Sequence, residues 1–144
     1  MANENVIAIE INYRLNIFGF YPSGPENTGG MNGVLDQVRA LEWVQQRVSY
    51  FGGDPNKVTV YGQSAGAASI CLLSVLPEAN GMFLRAIMES GHCDFADPLD
   101  NNWRDDLFEQ LTRSTPPCDF EDLKEAPASE LLNLSSTIQM TASR

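Results

Sequence analysis

The sequence predicts an α/β protein with a mostly parallel sheet flanked by helices, continuing into an acidic helical C-terminal region. Two observations carry that expectation. Between residues 5 and 91, apolar runs of strand length alternate with amphipathic or small-residue stretches of helix length. This β–α–β–α–β order implies parallel strands joined by right-handed crossovers. Beyond His92 the character changes: residues 94–144 hold 4 basic and 11 acidic side chains, a balance of −7, against 5 and 8, a balance of −3, in residues 1–93.

Each element has a local reason. NVIAIEINYRL (5–15) is β-branched and nearly continuously apolar around Glu10, as expected of a strand covered on both faces. The following NIFGFYPSGPENTGGMNG, rich in Gly, Pro and Asn, reads as a long loop. Asn32 suits the N-cap of a helix beginning at Gly33. In that helix Val34, Val38, Leu41, Val44 and Val48 recur at spacings of four and three and make one apolar stripe. Gly52 and Gly53 end it, and Asp54-Pro55 turns the chain. KVTVYG (57–62) is a short strand, SAGAASICLLSVL (64–76) a helix of small residues in its first turns, and MFLRAIMESG (82–91) a third strand. Residues 100–113 and 120–136 read as two acidic amphipathic helices joined by STPPCD. Phe18, Phe20 and Tyr61 suit the core or the wall of a pocket, and the core is the favoured reading.

Bulk properties exclude several classes. A chain of 144 residues with 43% hydrophobic and 19% charged side chains is that of a soluble globular protein with one domain's worth of core. A net charge of −10 argues against nucleic acid, which selects basic faces. No apolar run approaches the roughly 20 residues that span a bilayer. MANENVIAIE lacks the basic flank of a secretory signal. Cys71, Cys93 and Cys118 show no metal spacing. Cys71, in a run of Leu, Ile and Val, reads as a buried free thiol. A Cys93–Cys118 disulfide stays open, without support from spacing. Asn133-Leu-Ser is a glycosylation sequon, relevant only to a secreted protein.

The informative stretch is KVTVYGQSAGAASI. A serine hydroxyl is a poor nucleophile at neutral pH and must be both aimed and deprotonated. Gly62-Gln63-Ser64-Ala65-Gly66 supplies the aiming: a strand running straight into a helix forces a sharp, strained turn with the serine at its apex. Gly62 and Gly66 are expected to approach too closely for a Cβ. The helix aims its positive dipole end at the reacting centre, and the Ala65 N–H becomes a donor to an oxyanion. The competing reading is an incidental helix-start serine; the strand before and the small-residue helix after favour the catalytic turn.

INYRLNIFGF, NGVLDQVRALEWVQQRVSYFGGDPNKVTVYGQSAGAAS and AIMESG together resemble the type-B carboxylesterase family, which includes the cholinesterases and many lipid and xenobiotic esterases. The similarity is dense over residues 5–91 and loose over 92–135. It implies a partial α/β-hydrolase fold and hydrolysis of a small-molecule carboxylic ester through an acyl-enzyme. It also implies no metal or organic cofactor, and a secreted or endoplasmic-reticulum location. By motif match Ser64 is the nucleophile and Ala65 the oxyanion donor, with Gly62, Gln63 and Gly66 around them. Ser90, in ESG, falls where relatives place a hydroxyl near the triad acid. Gln63 stands where Glu is commoner, a change expected to alter rate or selectivity without loss of the reaction.

Other parts of that machinery have no counterpart here. The triad order in this fold is Ser, acid, His, and the resemblance puts the base far downstream. His92 therefore reads as a loop or surface imidazole, and Glu89, Asp94 and Asp97 as solvated carboxylates. TGGMNG (28–33) matches a family turn and not the Gly-rich oxyanion loop. The fold also implies a strand between VIAIEINYR and KVTVYG in space, which leaves a slot with unpaired backbone groups. Cys118 matches the start of a family disulfide loop, but Asp122 occupies its partner's position, so no bridge is expected there. Residues 1–144 thus read as one incomplete domain, 5–91 its sheet core and 92–144 a helical excursion, inactive by itself. A non-catalytic adhesion-type relative and a truncated pseudo-enzyme are the alternatives; oligomeric state is unreadable.

Overall fold

The computed structural model describes residues 5–20, 30–91, 93 and 125–133. The chain divides into two units, Met1–Phe20 with Gly30–Cys93, and Tyr21–Gly29 with Asp94–Arg144. In chain order the first unit contains helices Asn16–Phe20 (α1) and Asn32–Arg47 (α2), strand Thr59–Gln63 (β1), helix Ala65–Val75 (α3) and strand Arg85–Glu89 (β2). Short 3-10 turns lie at Val48–Phe51, Pro55–Lys57 and Pro77–Ala79. In the second unit, residues 128–133 form a short helix started by bonds from the Glu130 and Leu131 N–H groups to the Pro127 carbonyl. Pro127 opens it because proline has no N–H to give to a preceding turn. The helix expected over 100–113 lies outside the described residues.

The stripe on α2 behaves as its spacing requires. Val34, Val38, Leu41, Val44 and Val48 are all buried, at 0–8% exposure. Val34, Val38 and Leu41 meet Leu73 of α3 and Ala79, with Val60 of β1, Leu72, Leu76, Met82 and Phe83 packed around them. Each such side chain withdrawn from water is worth about 1.5–3 kcal/mol. Polar pins fix the orientation of α2: Gln37 Nε2 donates to Ser69 Oγ at 3.1 Å, and Gln45 Nε2 to the carbonyls of Pro55 and Met82 at 2.9 and 2.8 Å. The helix begins one residue earlier than expected. Met31, and not Asn32, occupies the cap, because the Met31 carbonyl already accepts the first helical bond from Leu35 N–H at 2.9 Å. At the other end Gly52 adopts φ 83°, and Gly53 N–H returns to the Val48 carbonyl.

β1 and β2 pair in parallel, with Thr59 opposite Arg85 and Gln63 opposite Glu89. α3 is the crossover between them and lies against both strands. Two expectations fail around this sheet. Residues 5–15 form no strand, and Val6, Ile7, Ile9 and Ile11 are 41–54% exposed. Strand-like composition suits a pleated, covered surface, but a strand exists only as a ladder, and among the described residues nothing pairs with this segment. Tyr61 is likewise 63% exposed on the uncovered face of β1 and is no core residue. Phe18 and Phe20 belong to α1 instead of a loop, with Phe18 half-buried and Phe20 exposed. No helix among the described residues is long and apolar enough to cross a membrane.

Arg14 fastens residues 5–15 to α2. Its Nε and Nη2 donate to Asp36 Oδ2 and Oδ1, each at 2.7 Å, and its backbone N–H donates to Oδ2 at 3.0 Å. The guanidinium bonds first, and the backbone bond second, hold the Asp36 carboxyl down at about 2 instead of 3.8. A depressed carboxyl is protonated more readily in the unfolded chain, so this link stabilises the fold above the ordinary carboxylate range and is lost as pH falls from about 4 towards 2. Asp36→Asn is therefore expected to lower the melting temperature at pH 7, with the two proteins converging below about pH 4. An offset that stays constant across that range would refute the assignment.

Candidate active site

The chain bends sharply between β1 and α3, and Ser64 is the residue at the bend. Its backbone sits at φ 53°, ψ −116°, a conformation that costs a residue with a Cβ about 1–3 kcal/mol. Tethers on either side hold it there. Ser64 N–H donates to the Glu89 carbonyl of β2 at 2.9 Å, and the Ser64 carbonyl accepts from Ala68 N–H at 3.0 Å. The residue is exposed. An ordinary helix-start serine has extended backbone, and its hydroxyl oxygen accepts a bond from a first-turn N–H group. Ser64 does neither, making no capping bond to α3.

Gly62 is forced by space. A Cβ there would stand 2.5 Å from the Gly66 carbonyl carbon, 2.6 Å from its oxygen and 3.0 Å from Ala67 N. Gly66 differs from expectation: a Cβ on it would meet nothing within 4 Å among the described residues. The pattern is symmetric in sequence, but only the strand-side glycine faces the backbone of the incoming helix. Ala65 and Gln63 flank Ser64 and are both exposed. Ala65 is the first residue of α3, so its N–H belongs to the first turn, whose donors have no intrahelical acceptor. That end of an 11-residue helix carries roughly half a positive charge.

The exit of β2 completes the surroundings. Ser90 adopts φ 51° immediately after Glu89. Gly91 lies so close to α3 that an added Cβ would be 2.5 Å from the Ala67 methyl and 2.8 Å from the Ser64 carbonyl oxygen. Glu89 is more than a solvated carboxylate: Tyr61 Oη donates to its Oε2 at 3.0 Å, which pushes the Tyr61 phenol above its usual pKa. Sequence alone reads Glu89 as a solvated carboxylate and does not single out Gly91. The parallel register is the signal that would have found them, since it puts the residues after Glu89 beside the residues after Gln63.

The free-thiol reading of Cys71 is overturned. Cys71 is joined to Cys93 by a disulfide, with Cα atoms 5.5 Å apart, which also removes Cys93 as a partner for Cys118. Burial of Cys71 had suggested an inert thiol, but β2 returns over α3 and brings residue 93 onto it, within the Cα range that a bridge spans. His92, Asp94, Asp97, Cys118 and Asp122 lie outside the described residues.

The chain matches the carboxylesterase family over residues 1–140. It is 51% identical to cat carboxylesterase 5A over 90 residues, 62% of this chain and 16% of that protein. It is 40% identical to sheep carboxylesterase 5A over 141 residues, 92% of this chain and 36% of that protein. Among solved structures, a Geobacillus stearothermophilus carboxylesterase superposes with a TM-score of 0.74 at 38% identity, over 88% of this chain and 28% of that one. Juvenile hormone esterase of Manduca sexta, solved with OTFP covalently attached, gives 0.71 at 35% identity, over 85% and 24%. The chain thus spans between about a sixth and a third of the relatives it matches. These structures share the α/β-hydrolase architecture, of which the small parallel sheet flanked by helices is part.

Proposed function

The chain belongs to the carboxylesterase family, and on that premise we propose that it carries the nucleophile of a type-B carboxylic ester hydrolase. Ser64 Oγ attacks the acyl carbon of a small-molecule ester, the carbonyl oxygen takes up the negative charge, and the alcohol leaves to give an acyl-enzyme that water then hydrolyses. The Ala65 N–H stabilises the oxyanion, a contribution of about 3–4 kcal/mol when one such donor is removed from a comparable site. Gly62 and the β2 exit, including Ser90, keep the bend in shape. The proton acceptor, its acid partner and the second oxyanion donor come from other parts of the longer protein, so the 144 residues alone do not turn over ester.

The observation that carries this reading is the backbone of Ser64: an exposed serine held at φ 53° between strand and helix, with its hydroxyl not spent on capping. Strain of that kind persists where the surrounding structure over-determines it, and it clusters at functional sites. The covalent adduct named for the Manduca sexta relative is in keeping with a nucleophilic mechanism. Treating the full-length protein with a biotinylated fluorophosphonate, followed by digestion and mass spectrometry, is expected to put the adduct on the peptide containing Ser64. Labelling elsewhere, or labelling that survives heat denaturation unchanged, would sink the proposal.

A further inference from the structure

Among the described residues, three tethers hold the bend at Ser64 from the β2 side, and they come from Glu89, Gly91 and Cys93. The Glu89 carbonyl takes the Ser64 N–H, Gly91 lies against the Ser64 carbonyl and the Ala67 methyl, and Cys93 is bonded to Cys71. Cys71 lies seven residues beyond Ser64, about two turns along α3. Between these tethers Ser90 sits at φ 51°, a conformation that a serine keeps only when its neighbours impose it. Of the three tethers only the bridge is covalent, and only the bridge can be opened chemically.

We infer that the Cys71–Cys93 bridge is a redox-sensitive clamp on the Ser64 bend: closed, it holds the β2 exit against α3, and opened by a thiol reductant it lets that exit slacken and lowers the rate at which Ser64 is acylated. The effect on acylation rests on the esterase reading of Ser64; the clamp itself does not. The two sulfurs differ in access. Cys93 is exposed, whereas Cys71 is 6% exposed, with its Sγ 3.5 Å from Met88 Sδ. An incoming thiolate therefore attacks Cys93 Sγ, forming a mixed disulfide there and expelling the Cys71 thiolate, which takes a proton. A second reductant thiol attacks the reductant sulfur of the mixed disulfide and releases Cys93. In sum the bridge gains two electrons and two protons, and two reductant thiols become one disulfide. The buried, apolar surroundings of Cys71 disfavour the charge of a departing thiolate, so opening needs an excess of thiol and is reversed by oxidation.

The full-length protein provides the test. A digest without reductant is expected to contain the cross-linked peptide pair 71/93. Reduction with dithiothreitol, well below the melting temperature, is expected to speed amide hydrogen exchange at Ser64 and residues 89–91 without global exchange. It is also expected to slow fluorophosphonate labelling of Ser64 by about tenfold or more, as a displaced reacting group does, with recovery on reoxidation. A Cys71→Ala/Cys93→Ala double variant should show the slowed rate and no response to reductant. Alkylation of both cysteines by iodoacetamide without reductant, unchanged exchange at Ser64 after reduction, or exchange rising across the whole protein would each overturn the clamp. Absence of labelling in both redox states would instead remove the esterase reading, and the exchange data would still decide the clamp.

Discussion

Replacing Ser64 with alanine in the full-length protein will lower hydrolysis of a simple aryl ester by about 10⁴- to 10⁶-fold while leaving the fold and the KM nearly unchanged. The size follows from what is lost. In the proposed mechanism the hydroxyl forms the covalent bond of the intermediate, so its removal would leave only substrate binding and the proposed oxyanion donor to act on a water molecule. The specificity follows from what is kept. Ser64 is tied into the fold by its N–H to Glu89 and its carbonyl to Ala68, and alanine preserves both. Alanine also meets the same steric penalty as serine at φ 53°, so the strain does not change sign or size. An exposed substitution of this kind stays within about 0.5 kcal/mol in stability. Turnover within tenfold of the parent, in a variant with an unchanged melting curve, would show that another group performs the attack.

What the sequence made legible, and what it did not, divides by the range of the interaction that decides each feature. The α2 stripe from Val34 to Val48 was readable because a helix buries a fixed local period, whatever it packs against. β1, α3 and β2 were readable for the same reason, each being an apolar run bounded by Gly, Asn or Pro. The bend at Ser64 was readable because a strand with no linker before a helix leaves the chain few ways to turn. Failures came where a partner distant in sequence decides. Residues 5–15 have strand composition, yet their pairing depends on chain that is not adjacent. Tyr61 looked like core because an apolar run conceals which face will be covered. The Cys71–Cys93 bridge needed the parallel register, which no spacing rule supplies. Gly66 shows a subtler limit: the motif treats its two glycines alike, while the three-dimensional approach constrains only one of them.

That asymmetry yields the second large effect. Gly62→Ala is expected to destabilise the protein by about 1–3 kcal/mol and to cut ester turnover by roughly 10²-fold, whereas Gly66→Ala should do neither. A methyl group at residue 62 would have to occupy the position of the Gly66 carbonyl group, at 2.5–2.6 Å, with Ala67 N at 3.0 Å. Those atoms are backbone, within the first turn of α3, and cannot swing away as a side-chain tip would. The helix start must therefore shift outward and carry Ser64 and Ala65 with it, moving the proposed nucleophile and its proposed oxyanion donor together away from the position where an ester would meet them. At residue 66 the added methyl has open space among the described residues, and alanine is worth up to about 1 kcal/mol over glycine within a helix. Thermal unfolding and kcat measured on both variants discriminate cleanly. Equal tolerance at the two positions would mean that strand and helix do not approach as closely as described, and the bend would lose its reason to exist.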